Sequence, residues 1–464
     1  MKTWREECAV VGVWNHGEAS RLAYLGLFAM QHRGQESAGV VSLNEGQHIH
    51  HKGLGLVGDV FSEGDLVRLQ GRAAIGHVRY STTGQNLLTN AQPLTAQLYN
   101  GPVAVAHNGN IINAHELRAE LQKAGSIFHG TNDTEALLHL MARHPSDQLI
   151  TAVKESVEKM EGAFSFVVMN HDRLVAIRDP YGFRPLVLGK KKNEAGEWAY
   201  IVASETCAFD LLGAQLVREI EPGEIFWLDK DGEHSLLMNR TVTRQARCIF
   251  EHVYFARPDS VVFGHSVYES RKNFGRVLAR ENHVDCDIVV PVPDSGVPAA
   301  IGYSAESGVP FELGIIRNHY VGRTFIQPQQ SIRSFGVKIK LNPQSAVLAG
   351  KRVVVIDDSL VRGTTSKKII GLIRAAGAKE VHMRIAAPPT ISPCFYGVDT
   401  PDRSQLIAAQ QSIEDIRQFI GADSLSYLSM EGLFGAIKAS PQKFCAACFD
   451  GKYPTPLHGM ESNL

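Results

Sequence analysis

One apolar run that ends in two carboxylates limits the fold of this chain more than any other stretch. Residues 353–366 read VVVIDDSLVRGTTS, in which four β-branched residues precede Asp357 and Asp358. Such a run is typical of a parallel strand that is covered on both faces. The following residues carry an apolar stripe at helical spacing, which predicts a helix capped by Ser366 and ended by Gly377. The later half of the chain is therefore predicted to be an α/β domain.

The turn after the two aspartates has the features of a phosphate site. Backbone N–H groups between Arg362 and Thr365, the threonine hydroxyls and the helix dipole together suit a phosphate monoester. Ligands of open α/β sheets bind beyond the carboxyl ends of the strands, where Asp357 and Asp358 are placed for ribose hydroxyls or a magnesium ion. A second strand end, VVPVPDSGVPAA at 289–300, adds either a turn for a second anionic group or an ordinary surface turn.

The first half of the chain has a different pattern. Residues 1 to about 230 contain many short β-rich runs, among them CAVVGVW, AAIGHV and SFVVMN, separated by helical stretches. This mixture predicts a layered α+β domain. Cys8 stands at the head of the first apolar run. From that position alone, both a packing role and a nucleophilic role remain open.

Composition narrows the choice of partners. Lys plus Arg number 47 against 48 for Asp plus Glu, so the net charge of −1 offers no electrostatic footprint for nucleic acid. No apolar stretch has membrane-spanning length, and the leader MKTWREE lacks the apolar core of a secretory signal. We therefore expect a cytoplasmic protein without membrane contact. Seven cysteines in 464 residues are too few for a disulfide framework, and an odd number cannot all be paired within one chain.

Four short polar motifs follow Cys8. They are QHRGQESAG at 31–39, GHVRYSTTG at 76–84, AHNGNI at 106–111 and GTNDTEAL at 130–137. In this order behind an early cysteine, the set resembles the glutaminase domain of the N-terminal-nucleophile amidotransferases. The resemblance implies an αββα sandwich over the first half of the chain.

The same resemblance implies a role for particular side chains. Cys8 would be the nucleophile that attacks the glutamine amide. Arg79 would bind the α-carboxylate of glutamine with its planar fork, and Asp133 would bind the α-ammonium group. Asn108 and the backbone N–H of Gly109 would form the oxyanion hole, where charge develops as the amide carbonyl becomes tetrahedral.

The nucleophile needs a base, because a thiol has a pKa near 8.5. The motifs place no histidine beside Cys8, but the α-amino group of the same residue could accept the proton if it were not in a peptide bond. We therefore expect residues 1–7 to be a propeptide whose removal makes Cys8 the mature N-terminus. In the family, glycine usually follows the nucleophile, whereas this chain has Ala9.

The stretch 353–366 closely resembles the phosphoribosyl pyrophosphate motif of the type I phosphoribosyltransferases. The resemblance implies that Asp357 and Asp358 contact the ribose and magnesium, and that Ser295 in PDSG is a further magnesium contact. The residues that would hold the 5-phosphate are Arg362, Gly363, Thr364, Thr365 and Ser366. A Gly-, Gln- and cation-rich stretch at 317–343 is either a solvated loop or a basic lid over the departing pyrophosphate. Arg323 and Lys340 would be the working cations of that lid.

Four of the cysteines form a candidate metal site. Cys445 and Cys448 in FCAACFDG have the spacing of a redox dithiol or a metal clip. Cys248 and Cys394 lie in stretches that resemble the ligand segments of the iron-sulfur branch of the amidophosphoribosyltransferases. The resemblance implies a 4Fe-4S cluster on these four thiolates, and zinc is the conservative alternative.

The two halves in this order resemble the amidophosphoribosyltransferase family nearly end to end. The resemblance implies a propeptide at 1–7, a glutaminase domain at 8–235 and a phosphoribosyltransferase domain at 250–464. It also implies the first committed step of purine synthesis, in which ammonia from glutamine displaces pyrophosphate from phosphoribosyl pyrophosphate to give 5-phospho-β-ribosylamine with the aid of Mg²⁺. Feedback by purine nucleotides and a homotetramer are further implications. The alternative, a regulatory protein that only senses phosphoribosyl pyrophosphate, would leave the glutaminase motifs without a purpose.

Overall fold

The computed structural model describes residues 8–80, 87–146, 148–240, 242–318, 340–398, 400 and 402–460. Within these ranges no helix has both the length and the apolar character needed to span a bilayer. The strands of the first part are β1 (Ala9–Trp14), β2 (Ser37–Asn44), β3 (Gln47–Leu54), β4 (Ala73–Arg79), β5 (Leu94–Leu98), β6 (Gly101–Ile111), β7 (Gly162–Met169), β8 (Leu174–Arg178), β9 (Val187–Lys192), β10 (Trp198–Ala203), β11 (Gln215–Glu219), β12 (Glu224–Asp229) and β13 (Gly232–Leu237).

These strands build two antiparallel sheets that face each other. The seven-stranded sheet has the order β11-β9-β10-β1-β4-β2-β3, and the six-stranded sheet has the order β13-β12-β8-β7-β6-β5. The layer between them is apolar: Val10, Val41 and Ile75 of the first sheet pack with Ala104 and Ala106 of the second. Strand residues alternate between two faces, so each sheet has an opposite face that must be covered as well.

Helices cover both outer faces. The seven-stranded sheet is covered by Ala19–Ala29 and Cys207–Leu212, and the six-stranded sheet by Ala114–Lys123, Glu135–Ala142 and Leu149–Val157. The short helices Val57–Val60 and Glu63–Arg68 follow β3. The result is the four-layer αββα sandwich expected from the motifs, and that prediction is confirmed.

The second part is built on a parallel sheet. Its strands, with three short strand pairs, are β14 (Arg247–Cys248), β15 (Val261–Val262), β16 (His265–Ser266), β17 (Ile288–Pro291), β18 (Ile315–Arg317), β19 (Leu341–Pro343), β20 (Arg352–Asp357), β21 (Glu380–Ile385), β22 (Ser424–Tyr427) and β23 (Phe444–Cys445). The order β17-β20-β21-β22 is parallel throughout. Helices Val267–Glu281, Val297–Ser307 and Met430–Ile437 pack on one face of this sheet, and Thr364–Ala375 and Ile413–Ile420 on the other. The predicted α/β domain is confirmed.

Short helices complete the second part. They are the π-helix Glu251–Phe255, the α-helices Ser345–Leu348, Ile407–Gln410 and Ala447–Asp450, and the 3₁₀ turns Arg403–Gln405 and Pro441–Lys443; a further 3₁₀ turn, Leu88–Asn90, precedes β5.

The helix after the acid pair begins earlier than the sequence predicts. Its first residue is Thr364, and Ser366 lies buried inside the first turn instead of capping it. The cap position belongs to Gly363, whose φ of +70° is a left-handed conformation that glycine adopts without strain. This conformation turns the chain from strand into helix within a few residues. The predicted end is correct, since Gly377 follows the last turn with φ of +95°.

A buried network of charges joins the two parts. The Arg33 guanidinium of the sandwich lies 2.6 Å from Glu205 of the same part and 2.7 Å from Glu251 of the π-helix. Arg184 lies 3.4 Å from Glu251, and these four side chains have no solvent exposure. Removing one partner of a buried ion pair typically costs about 3–5 kcal/mol. The network therefore fixes the π-helix against the sandwich.

Candidate active sites

Cys8 lies directly before β1, at the end of β4. Ala9 is fully buried and pairs with Val78 of β4. The Cys8 thiol donates to the Tyr80 carbonyl, with a sulfur–oxygen distance of 3.4 Å. Arg79, the predicted carboxylate ligand, is the last residue of β4 and is buried. The structure therefore brings the predicted nucleophile and the predicted carboxylate ligand together at one end of the sandwich.

Asn108 and Gly109 lie on β6 of the facing sheet. Residues two apart share a face of a strand, so Asn108 continues the row of Ala104 and Ala106 that faces the first sheet. Both polar atoms of the Asn108 side chain are buried, and neither has a hydrogen-bond partner in the described part of the chain. Such orphaned amides are rare in folded proteins. Gly109 has φ of +147°, and a Cβ there would overlap the Ala163 carbonyl oxygen.

Asp133 is held beside this strand as an anion. Its Oδ2 accepts the Ile111 N–H at 2.8 Å, and its Oδ1 lies 3.6 Å from Nδ1 of His107. Burial alone would raise the pKa of Asp133, but His107 and the Ile111 N–H outweigh it and hold the pKa below its ordinary value. His77 on β4 in turn donates to the His107 carbonyl at 2.9 Å, which ties the two sheets together here. A buried carboxylate of this kind suits an ammonium group.

The two predicted phosphoribosyl motifs lie at adjacent strand ends. Pro291 of β17 pairs with Ile356 of β20, so the PDSG turn and the acid pair emerge side by side. A Cβ on Gly296 would lie 2.3 Å from the Ile356 carbonyl oxygen, so only glycine permits this approach. Ser295 is half-buried in the turn, and Asp294 beside it accepts from Arg317 at 2.5 Å.

Asp357 and Asp358 are both buried. Burial and then the neighbouring Asp358 carboxylate raise the pKa of Asp357 well above its ordinary value. Asp358 accepts from the Ser359 hydroxyl at 2.5 Å. Arg271, buried in helix Val267–Glu281, donates to the carbonyls of His252 and Ala256. Burial lowers the pKa of Arg271 to about 10, although the Asp358 charge favours its protonated form.

The predicted phosphate turn is the N-terminal end of helix Thr364–Ala375. Its first-turn N–H groups point out of the helix end, which is the usual geometry for binding an anion. Arg362 donates to the Gln405 side chain at 2.7 Å. Of the predicted lid cations, Lys340 is exposed beside β19, and Arg323 lies outside the described residues.

The four predicted metal-ligating cysteines line one cavity. Cys248 and Cys445 are paired across the parallel strands β14 and β23. The Cys448 carbonyl accepts the N–H groups of Ile391 and Ser392, which brings in the loop that carries Cys394. The other lining side chains, Phe183, Phe250, Tyr396, Val398, Thr400 and Ala447, are mostly apolar.

The environment of these thiols disfavours their ionisation in the metal-free protein. Burial raises the pKa of Cys445 to about 12, and burial together with the three other thiols raises the pKa of Cys448 well above its ordinary value. The Tyr396 N–H donates to the Cys394 sulfur at 3.3 Å. Yet in the described ranges no three His, Cys, Asp or Glu side chains are arranged to hold a metal ion. The four cysteines thus line one cavity, but their side chains are not arranged around a common metal position in the described residues.

Sequence reasoning missed several residues around these sites. His107 was visible within AHNGNI, but its contact with Asp133 was not predicted. Arg33 lies in QHRGQESAG, and its Nε donates to the Cys8 carbonyl at 3.2 Å. Glu251 and Arg271 stand in no motif, and only the folded arrangement reveals them.

A sandwich with an N-terminal-nucleophile site, joined to a parallel sheet with an acid pair before a phosphate-type turn, defines a glutamine amidotransferase with a phosphoribosyltransferase domain. Family models agree. The glutamine amidotransferase domain matches residues 77–210, and the phosphoribosyl transferase domain matches residues 273–387.

Relatives extend the match to the whole chain. It is 55% identical to the chloroplastic amidophosphoribosyltransferase of Glycine max over 452 residues, or 97% of this chain and 78% of that protein. It is 47% identical to the Bacillus subtilis amidophosphoribosyltransferase over 466 residues, or 99% of this chain and 96% of that protein. A solved structure of the B. subtilis glutamine phosphoribosylpyrophosphate amidotransferase with ADP and GMP matches with a TM-score of 0.92 and 47% identity, covering 97% of this chain and 98% of that one.

The chain belongs to the amidophosphoribosyltransferase family. It is therefore a glutamine-dependent pentosyltransferase of purine biosynthesis, and the prediction from sequence is confirmed. A purely regulatory protein is not favoured, because relatives that match both halves are enzymes of this family.

Proposed function

We propose that the chain hydrolyses glutamine at Cys8 and passes the ammonia to phosphoribosyl pyrophosphate bound at Asp357 and Asp358. The products are glutamate, 5-phospho-β-ribosylamine and pyrophosphate. The orphaned, buried amide of Asn108 carries the proposal for the first site, because it offers a donor where an oxyanion would form. The domain boundaries that accompany this proposal are 8–235 and 250–464.

The chemistry at the first site follows from its residues. Arg79 and Asp133 hold the two charged groups of glutamine, so the side-chain amide faces Cys8. The thiolate attacks the amide carbon, and Asn108 and the Gly109 N–H stabilise the resulting oxyanion. Collapse of this intermediate passes the proton that came from the thiol to the leaving nitrogen, so ammonia departs and a thioester remains. Water then hydrolyses the thioester to glutamate and restores the thiol.

The experiment that tests this site compares two buried thiols. Cys8→Ala should lower the glutamine-dependent rate at least about 1000-fold, while free ammonia still supports transfer within about two-fold of wild type. Cys207→Ala, which removes a buried thiol of the same part, should leave both rates nearly unchanged. Equal loss of the two rates in Cys8→Ala would contradict the two-site mechanism.

We propose that residues 1–7 are removed so that the Cys8 α-amino group becomes the base. Support comes from the chemistry of the thiol, which needs a proton acceptor that the α-amino group of the same residue can supply once it is free. Intact mass of the active protein should begin at Cys8. Full activity in protein that retains Met1 would overturn this proposal.

At the second site, the turn from Arg362 to Ser366 is proposed to bind the 5-phosphate. Asp357 and Asp358 would bind the ribose hydroxyls, and with Ser295 they would hold Mg²⁺, since carboxylate and hydroxyl oxygens are ligands that Mg²⁺ accepts. The ion, when bound, supplies positive charge to the leaving pyrophosphate. Arg323 and Lys340 are proposed to add cations there.

The four cysteines are proposed to hold a 4Fe-4S cluster. Support comes from the four thiols lining one largely apolar cavity, since cysteine thiolates are the ligands of such clusters. Anaerobically purified protein should contain about four iron atoms per chain and absorb visible light. Cys445→Ser should lose both signals and Cys286→Ser neither; zinc in place of iron would contradict the proposal.

We further propose purine nucleotides as feedback inhibitors, a homotetramer and a cytoplasmic location. The B. subtilis relative in complex with ADP and GMP supports nucleotide binding. Sedimentation of the purified protein with and without GMP tests the first two proposals, because a monomer that ignores the nucleotide would contradict both.

A further inference from the structure

The loop that carries Cys394 reaches across the molecule to the proposed oxyanion strand. Gly397 has φ of +103°, and a Cβ there would lie 3.1 Å from the carbonyl carbon of Gly109 and 3.2 Å from its Cα. These distances are tighter than most real Cβ contacts, and Nη2 of Arg184 would lie 3.3 Å away, so a side chain at position 397 would push its neighbours apart by a few tenths of an ångström. The contact joins residues from opposite halves of the chain.

Two side chains of the sandwich fasten the same loop. The Asn110 amide donates to the Phe395 carbonyl at 2.9 Å. Arg184 donates to the Tyr396 carbonyl from both Nε and Nη2, at 3.0 and 2.6 Å. These bonds are buried, where hydrogen bonds from a charged group are worth more than neutral ones. The loop is therefore fixed to the β6 strand at Phe395 and to the rest of the sandwich at Tyr396.

Arg184 also connects this contact to the nucleophile. It lies 3.4 Å from Glu251, which binds Arg33 at 2.7 Å, and Arg33 donates to the Cys8 carbonyl at 3.2 Å. One buried set of charges thus touches both Cys8 and the loop behind Gly109. The backbones that carry the nucleophile and the oxyanion donor are held in place by the same second part of the molecule.

We propose that the 395–397 loop is a positioning element for the oxyanion hole, and that Gly397 is its critical residue because it sets the position of the Gly109 backbone. The loop touches neither substrate in this role and acts through the Gly109 backbone, against which Arg184 holds it. The inference rests on the proposed oxyanion role of Asn108 and Gly109. It assigns to the second part of the chain a share in glutamine hydrolysis.

The test is Gly397→Ala in the full-length enzyme. The added methyl group would displace the Gly109 backbone by a few tenths of an ångström, and small misplacements of catalytic groups cost large factors in rate. The kcat with glutamine should fall about 10-fold, while KM for glutamine and the ammonia-dependent rate stay within about two-fold. Oxyanion contacts strengthen in the transition state, so the effect belongs to kcat.

Gly125→Ala is the matched control. Gly125 has φ of +91°, but a Cβ there meets no atom within 4 Å, so this variant carries a similar backbone strain without the contact. Unchanged kcat in Gly397→Ala, or an equal fall in the control or in the ammonia-dependent rate, would overturn the proposal. If Gly397→Ala does not fold, Asn110→Leu decides by the same pattern, because it removes the bond to Phe395.

Asn108→Ala separates the two levels of inference. If this variant keeps the wild-type kcat, the oxyanion assignment itself is wrong. If Asn108→Ala loses kcat and Gly397→Ala does not, only the role of the loop is wrong.

Discussion

Each half of the molecule buries an aspartate at its site, and the two carboxyls respond in opposite directions. The pKa of Asp133 in the sandwich is held below its ordinary value, because His107 and the Ile111 N–H outweigh burial. The pKa of Asp357 in the parallel sheet is raised well above it, because burial is reinforced by the Asp358 carboxylate. The first aspartate is stabilised as an anion by the protein itself. The second lacks comparable support from the described residues.

This difference fits the two substrates proposed for the sites. Glutamine brings an ammonium group to a carboxylate that is already ionised and oriented, so little reorganisation is needed on binding. The acid pair instead gains favourable partners from the ligand side, as hydroxyl donors and a divalent cation approach it. On these proposed assignments, the Asp133 carboxylate would be ionised before substrate binds, whereas the acid pair would gain its stabilising partners from the substrate.

Among the changes that test this comparison, the largest effect is expected at Asp133. Asp133→Asn keeps the shape but removes the charge that would pair with the α-ammonium, and loss of one partner from a desolvated charge pair costs about 2–5 kcal/mol. We expect kcat/KM for glutamine to fall about 100-fold, with ammonia-dependent transfer unchanged. Steady-state assays with either nitrogen source measure this. Asp231→Asn, at an exposed turn, is the control, and a fall of both rates would show that the halves are not electrostatically independent.

A smaller effect on activity, together with a gain in stability, is expected at Asp357. Asp357→Asn removes a buried carboxyl that its neighbour disfavours as an anion, so the ligand-free protein should gain unfolding free energy while kcat/KM for phosphoribosyl pyrophosphate falls about 10-fold. Thermal unfolding and the ammonia-dependent assay measure the two quantities. Asp358→Asn is the matched variant: it relieves the same repulsion but takes a nearby charge from buried Arg271, so it should not stabilise. If Asp357→Asn destabilised the protein, the proposed difference between the two buried aspartates would be wrong.

Much of this arrangement could be read from the sequence, and the reason is local. Cys8, Asn108, Asp133 and the acid pair stand in short motifs at strand or helix ends, where a few neighbouring residues fix both conformation and chemistry. The strand patterns were also enough to predict two different domains. Short β-rich runs mixed with helices indicate the sandwich, whereas continuous apolar strands indicate a parallel sheet.

What could not be predicted depends on distant partners. Asn110 and Phe395 are 285 positions apart, and no local pattern announces their contact. The start of the helix at Thr364 was missed because serine is a good cap by composition, while the positive φ of Gly363 is a property of the folded turn. Polar contacts between the halves carry no periodic signal of the kind that marks a strand or a helix.

The smallest predicted effect concerns an ion-pair contact between the C-terminal segment and the sandwich. Changing this contact alters neither Asp133 nor Asp357. His458 of the C-terminal segment lies 2.8 Å from Glu161 and 3.1 Å from Glu116 of the sandwich. The bond to Glu161, with help from Glu116, raises the pKa of His458 above 6.5. A raised histidine pKa stabilises the fold fully below pH 6.5 and loses that contribution as the pH rises through the folded-state value.

We therefore expect His458→Gln to lower the free energy of unfolding at pH 6 by no more than about 1 kcal/mol, because the pair is partly exposed, and to change it little at pH 9. Thermal unfolding at the two pH values measures this difference. His171→Gln is the control, since that half-exposed ring stands 3.9 Å from Asp172 within one turn and joins no separate elements. An equal loss at both pH values would mean that His458 acts through packing and not through charge. Neither variant should change the 100-fold or 10-fold effects at the two aspartates, because both lie outside the two sites.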